Sequence, residues 1–366
     1  MPHQAPGGSP PSGSRRFPGG AAMRITISWF LWGVGYYAYF AYLSPYMASF
    51  VEPSRISYIY LIAGLVAVAY PTIGSATHGL LGARGAISVW MIVAGLGISL
   101  MGIAGGFGGF AALLSLNQAF YAALPSYYAA LAEEEASYIP LVWALSVSPS
   151  FFMPALGGIV ASRLGFPALF VLSGGLIASS ALPVALGGEL RAVSGQASTR
   201  GWALAVPAMV PVALESPYIF LAIERVYHLS SVQLGIVASA GEAVGMASAL
   251  AFRRSRWGLS AALAGFAATA LVTVSWAFGV AFGFWEAVIP LAIAYVSSDA
   301  ERPGVSFYAR LTTLQALTFV VGYLASAGVA SVDYLAVPAI GGALSAGLAL
   351  AYLALTLRGS SGQRRP

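Results

Sequence analysis

Between residues 25 and 357 the chain is a succession of apolar stretches, each about as long as a bilayer crossing, and nothing else in it constrains the fold as much. Crossing a hydrocarbon core of ~30 Å takes ~20 helical residues. Twelve runs of about that length can be placed, at 25–47, 57–77, 86–105, 107–131, 138–162, 166–187, 203–225, 231–252, 259–278, 281–298, 305–329 and 333–357. Only 8% of the residues are charged while 58% are hydrophobic, too few charges to give a soluble chain of 366 residues its polar skin. Backbone groups in lipid must be satisfied within the segment, which selects helices here. The expected fold is therefore all-α: a polytopic membrane protein of twelve transmembrane helices, with the lipid bilayer as its surroundings.

Arginine placement orients the spans. All 17 basic residues are Arg, and loops near membrane helices carry the positive excess on the cytoplasmic side. With a cytoplasmic N-terminus, only Arg55, Arg163 and Arg225 fall outside and the other 14 fall inside. That bias supports an even number of spans, both termini in the cytoplasm and residence in the cell membrane. Residues 1–23, rich in Gly, Pro and Ser, read as a disordered tail, or as sequence upstream of a true start at Met23. The polar segment 188–202 divides the chain into halves, 24–187 and 203–357, and 358–366 forms a second cytoplasmic tail.

The halves resemble each other at an offset of 165 residues. Phe120 and Pro125 precede the acidic cluster Glu133, Glu134 and Glu135, and Trp285 and Pro290 precede Asp299 and Glu301 in the same order. Gly174-Gly175 likewise lies near Gly341-Gly342, and Arg84 near Arg253, Arg254 and Arg256. The pattern suggests a duplicated six-helix unit, which in transporters encloses a central cavity that rocking opens to alternate sides.

From residue 24 onward the topology resembles the major facilitator superfamily. GSATHGLLGARG (74–85) is similar to that family's cytoplasmic loop after the second span: Gly74 fits its first glycine, Gly82 and Arg84 its closing pair, and His78 stands where Asp is usual. In the family this loop braces the two halves through charges, and Arg84 is then expected to face Glu133–Glu135. In the fifth span, Pro154, Gly157 and Gly158 fit the core of the motif associated with antiporters, with Met153 in place of a glycine. Gln118 keeps a position of the fourth-span Arg-x-x-Gln-Gly pattern whose Arg is missing here. The resemblance implies two pseudo-symmetric six-helix bundles, alternating access, a small-molecule substrate and a monomer.

Intramembrane carboxyls are costly, by roughly 2.5–3.5 kcal/mol on insertion scales, and mark function by default. Glu215 and Glu242 lie about twelve and eleven residues into consecutive spans, which places both near mid-depth at ~1.5 Å per residue, whereas Glu286 reads as shallower. Two carboxyls at one depth can share or relay a proton, so proton coupling through Glu215 and Glu242 is one expectation, and buried struts held by Ser, Tyr or Pro-freed backbone the other. Glu224 and Arg225 read as an interfacial ion pair or a gate contact. Tyr36 and Tyr39, with Trp29 and Trp32, recur at helical spacing and can line a cavity or pack as an aromatic belt. Asn117 and Gln118 are cavity candidates because amides in lipid need partners. Gly241 and Gly245 read as close helix packing.

Without Cys and with three His, no cofactor or metal is expected. No phosphate-binding loop is present, and a net charge of +5 made of cytoplasmic Arg does not argue for nucleic acid. The function expected is secondary transport. A membrane-embedded enzyme, a lipid-handling protein or a non-transporting receptor on the same fold are the alternatives.

Overall fold

The computed structural model describes residues 20–135, 142, 145–190, 206–252, 255–297 and 304–362. The tail before residue 20, Arg191–Arg200 of the linker, Arg253, Arg254, Asp299 and Glu301 lie outside the described residues, as do the side chains of Glu134 and Glu135. Every regular element among the described residues is helical. Helix α1 covers Gly20–Met47, α2 Ile56–Ser99, α3 Phe107–Asn117, α4 Phe120–Glu135, α5 Met153–Ser179 and α6 Leu182–Ala185. After the linker come α7 (Val210–Glu215), α8 (Ile219–Tyr227), α9 (Ser231–Phe252), α10 (Gly258–Phe266), α11 (Trp285–Ser297), α12 (Val305–Asp333) and α13 (Val337–Gly362).

Among the described residues, seven stretches are long and apolar enough to cross a bilayer, and three of them run 51, 33 and 54 residues. The longest of these cannot be single crossings, and glycines show how two of the three fold. Gly82 interrupts α2 at φ +69, a conformation open to Gly at no steric cost. Tyr70 and Trp90, twenty positions apart, consequently meet at 5.7 Å between ring centroids; in a straight helix they would be ~30 Å apart. Gly165 at φ +85 interrupts α5 in the same way, at the tight junction expected near 164, and Gly106 at φ +107 marks the one expected near 106.

The junction expected near 280 lies elsewhere. The span read as 259–278 is helical through α10 and a 3₁₀ turn, Ala267–Leu271, and the chain then leaves helix until Ser275. The Ser275 hydroxyl accepts from the Ala277 N–H at 3.3 Å and starts a 3₁₀ helix, Trp276–Phe284, that leads into α11. Val272-Thr-Val274 is as apolar as its flanks, so hydropathy could not mark the break. Two further breaks fall inside expected spans: Gln118–Ala119 separates α3 from α4, and Ser216–Tyr218 separates α7 from α8, where Pro217 lacks the N–H that would continue the ladder.

Close approach of small residues builds both groups of helices by the same plan, as is usual where lipid supplies no hydrophobic drive between helices. In the first group the Cα of Gly157 in α5 packs on Ala38 of α1, that of Gly74 in α2 on Ala122 of α4, and Gly95 in α2 meets Gly174 in α5. In the second group Gly322 of α12 packs on Ala213 of α7, Gly283 on Gly241 of α9, and Gly342 of α13 on Ala267 and Ala270.

The two groups meet along two seams. Gly64 of α2 lies under the Tyr323 ring of α12, and Gly158 of α5 against Ser231 of α9, where the Ser239 hydroxyl also accepts from the Ala155 N–H at 3.3 Å.

Candidate functional site

Between the two groups lies a cavity of about 180 Å³. Its wall on α1 is an aromatic stack. Trp32 lies parallel to Phe120 of α4 at 4.6 Å, to Tyr36 at 5.0 Å, and Tyr36 to Phe40 at 5.6 Å, with interplanar angles of 11°, 10° and 18°. The spacing of four residues places Trp32, Tyr36 and Phe40 on one helix face. Phe40 then meets Phe220 of α8 edge-on at 5.2 Å, carrying the stack into the second group.

The helix groups touch at both ends of this cavity. At one end the Tyr218 hydroxyl donates to the Pro53 carbonyl at 2.9 Å and accepts from the Ser57 N–H at 3.1 Å. At the other, Tyr128 of α4 stacks on Tyr308 of α12 at 5.1 Å.

The sequence candidates separate here. Tyr36 and Gln118 line the cavity, and neither side chain is hydrogen-bonded among the described residues. Asn117 and Tyr39 also reach the wall but are engaged with each other: the Tyr39 hydroxyl donates to Asn117 Oδ1 at 3.2 Å, and Asn117 Nδ2 donates to the Ala94 carbonyl at 3.2 Å. Gln118 is presented by the break between α3 and α4, and Ser216 by the break before α8. Gln315 of α12, in the second helix group, also lines the cavity without a side-chain partner among the described residues. The expectation omitted Gln315, although an amide in an apolar run was the signal used at Gln118 and applies equally to it.

The carboxyl pairing differs from the one expected. Glu242 does not meet Glu215. It lies against Glu286, within hydrogen-bonding and Coulombic reach. Glycines make this possible: Gly241 and Gly245 let α9 settle on Gly283, and a Cβ on Gly245 would stand 3.0 Å from the Glu286 Cβ. Trp285 Nε1 donates to Glu242 at 2.9 Å, and the Tyr37 hydroxyl of α1 donates to Glu286. Trp285 and Tyr37 both line the cavity, so each carboxyl is one hydrogen bond behind its wall. Glu242, Glu286 and Tyr37 are buried and Trp285 is partly buried. Tyr37→Phe keeps the ring but removes a donor from a buried carboxyl, a change expected to cost ~1–3 kcal/mol and to lower the unfolding temperature of the detergent-solubilised protein.

Glu215 faces away from this pair. Its Oε1 accepts from the Thr269 hydroxyl at 2.9 Å, and Gly341 of α13 leaves it room. It ends α7 in the interior of the second group and does not line the cavity. Thr269→Val is expected to destabilise the protein by ~1 kcal/mol without altering transport; a transport defect at unchanged stability would contradict that placement.

Gly74, His78, Pro154, Gly157 and Gly158 serve packing, whereas Gly82 breaks α2. His78 Nδ1 and the Ser126 hydroxyl are 3.0 Å apart, joining α2 to α4 beside the Gly74 contact. Pro154 supplies its carbonyl to the Tyr42 hydroxyl, which also donates to the Ser231 carbonyl at 3.1 Å, so Pro154 and Gly158 stand on a seam between the groups. Arg84 is exposed and makes no ion pair with Glu133. Glu224 and Arg225 pair at 3.3 Å, as expected.

Two helix groups with small-residue cores, a cavity between them and broken helices at its wall make a multi-pass membrane protein whose fold is like that of solved membrane transporters. A mutant of the nucleoside transporter NupG superposes with a TM-score of 0.68 at 14% identity, over 91% of this chain and 99% of that one. The POT family transporter PepTSo gives 0.66 at 11% over 95% and 99%, and the human organic anion transporter MFSD10 (TETRAN) 0.64 at 12% over 92% and 99%. No family model and no curated protein matches the sequence.

Proposed function

We propose that this protein is a secondary transporter that moves a small solute across the cytoplasmic membrane by alternating access, with both termini in the cytoplasm. One observation carries this reading: the cavity is walled by both helix groups, and those groups touch at both of its ends. Parting the Tyr218 contact while Tyr128 holds Tyr308 would open it to one side, and the reverse would open it to the other. The 14-to-3 arginine bias supports the orientation. The neighbours carry a nucleoside and an organic anion by name, so the fold leaves the cargo open.

We further infer that protons drive the cycle through Glu242 and Glu286. Two unit charges about 4 Å apart repel by ~4 kcal/mol at an effective dielectric of 20. Glu242 and Glu286, within hydrogen-bonding and Coulombic reach of each other, form a pair that can hold a proton between its carboxyls. Tyr37 belongs to the first helix group and the carboxyls to the second, so the hydrogen bond from Tyr37 to Glu286 links protonation to the relative position of the groups.

The absence of Cys allows a test that needs no substrate. A single thiol introduced by Ser216→Cys lies in the cavity wall. Alternating access expects an impermeant maleimide to label it from either side of oriented vesicles. A cross-link across the Tyr128–Tyr308 end should suppress labelling from that side alone. Labelling from one side only in the absence of the cross-link, or a cross-link that leaves labelling from both sides unchanged, would refute the reading.

A further inference from the structure

The cavity restricts what it can hold. Its lining includes no Arg, Asp or Glu among the described residues, so a permanent charge entering it would leave water without meeting a counter-ion, which is strongly unfavourable. Glu242 and Glu286 stand behind the wall and are already engaged by Trp285 and Tyr37. Trp32 has both faces covered, by Phe120 and Tyr36, and Tyr36 by Trp32 and Phe40. At Trp32 and Tyr36 a ligand therefore meets ring edges, the positive part of the aromatic quadrupole. Edges suit the π face or an acceptor atom of a ligand. They offer nothing to a cation, which seeks an open face.

Gln118 and Gln315, one from each helix group, each present an amide with donors and an acceptor and have no partner among the described residues. Satisfying both requires a ligand with donor and acceptor atoms on its rim. At about 180 Å³ the cavity is smaller than the ~300 Å³ at which drug-sized pockets begin, which limits the ligand to one ring or two fused rings.

We propose that the cavity takes an uncharged, flat solute of one or two rings bearing both a hydrogen-bond donor and an acceptor on its rim, with Gln118 and Gln315 as the residues that read the rim. The inference rests on the transport reading only for the cavity's role, and binding tests it separately. Calorimetry on the purified full chain in nanodiscs compares nicotinamide and uracil, which fit the description, with three controls of similar size: nicotinate, an anion; 1-methylnicotinamide, a cation; and cyclohexanecarboxamide, neutral but not flat. Nicotinamide or uracil is expected to bind about tenfold or more tightly than every control. Gln118→Leu and Gln315→Leu should each weaken that binding by about tenfold. Gln315→Glu, which keeps the shape and adds a charge, should shift preference toward 1-methylnicotinamide and so guards against a trivial folding defect. Equal binding of any control, or no binding of either neutral heterocycle, overturns the inference. Ser216→Cys labelling is unaffected by either result, so the transport reading fails or stands on its own.

Discussion

Glu286→Gln is expected to abolish the response of this protein to pH. In otherwise native protein carrying the single thiol at position 216, the ratio of labelling from the two sides of the membrane should change with pH by about tenfold, equivalent to ~1.4 kcal/mol between the two access states. Gln has the shape of a protonated Glu and still accepts from the Tyr37 hydroxyl, but it has no proton to release. The variant should therefore show one fixed ratio at every pH, and Glu242→Gln should behave alike because the two carboxyls act as one site. Glu215→Gln is the discriminating control, since Glu215 bonds to Thr269 inside the second helix group. If Glu215→Gln removes the pH response while Glu286→Gln retains it, the assignment of the coupling site to the Glu242–Glu286 pair is wrong.

Gly283→Val should prevent the protein from folding. A Cβ at position 283 would fall on the backbone carbonyl of Gly241, and backbone cannot swing aside as a side chain can. Overpacking of this kind costs ~1–3 kcal/mol where side chains can yield, and more where they cannot. The same contact seats Glu242 against Glu286, so the substitution should also remove the pH response in any fraction that survives. Gly175→Val and Gly328→Val, both facing open space, should yield normal protein by size-exclusion chromatography of fluorescent fusions. A monodisperse peak for Gly283→Val matching theirs would show that the seam is looser than described.

The large features were legible because lipid leaves a chain few choices. Apolar run length, the scarcity of charge and the one-sided arginines were enough for an all-α membrane fold, and the glycines at 106 and 165 stand at the turns the apolar runs implied. The break at 272–275 was not legible, because a Val-Thr-Val run in lipid has no hydropathy signal; nor were the breaks at Gln118 and Ser216.

At the site, residue type found Tyr36, Gln118, Glu242 and Glu286 but could not choose their partners. Depth counted along a helix gives one coordinate. Rotation about the helix axis gives the other, and a helix that is apolar on every side carries no pattern to reveal it. Glu215 and Glu242 were matched on depth, yet Glu215 turns toward Thr269 and Gly341 while Glu242 turns toward Glu286.

By itself, then, the amino-acid sequence determined that this protein lives in a membrane as helices, and which of its residues are too costly to bury without purpose. Only the tertiary structure decided that Glu242 and Glu286 form the pair, that Trp32 and Tyr36 are stacked on both faces, and that Gln315 and Gln118 line one cavity. The reason is physical. Transfer energies act on each residue alone and can be summed along the chain, whereas azimuth and close approach depend on which glycine lets which helix come near.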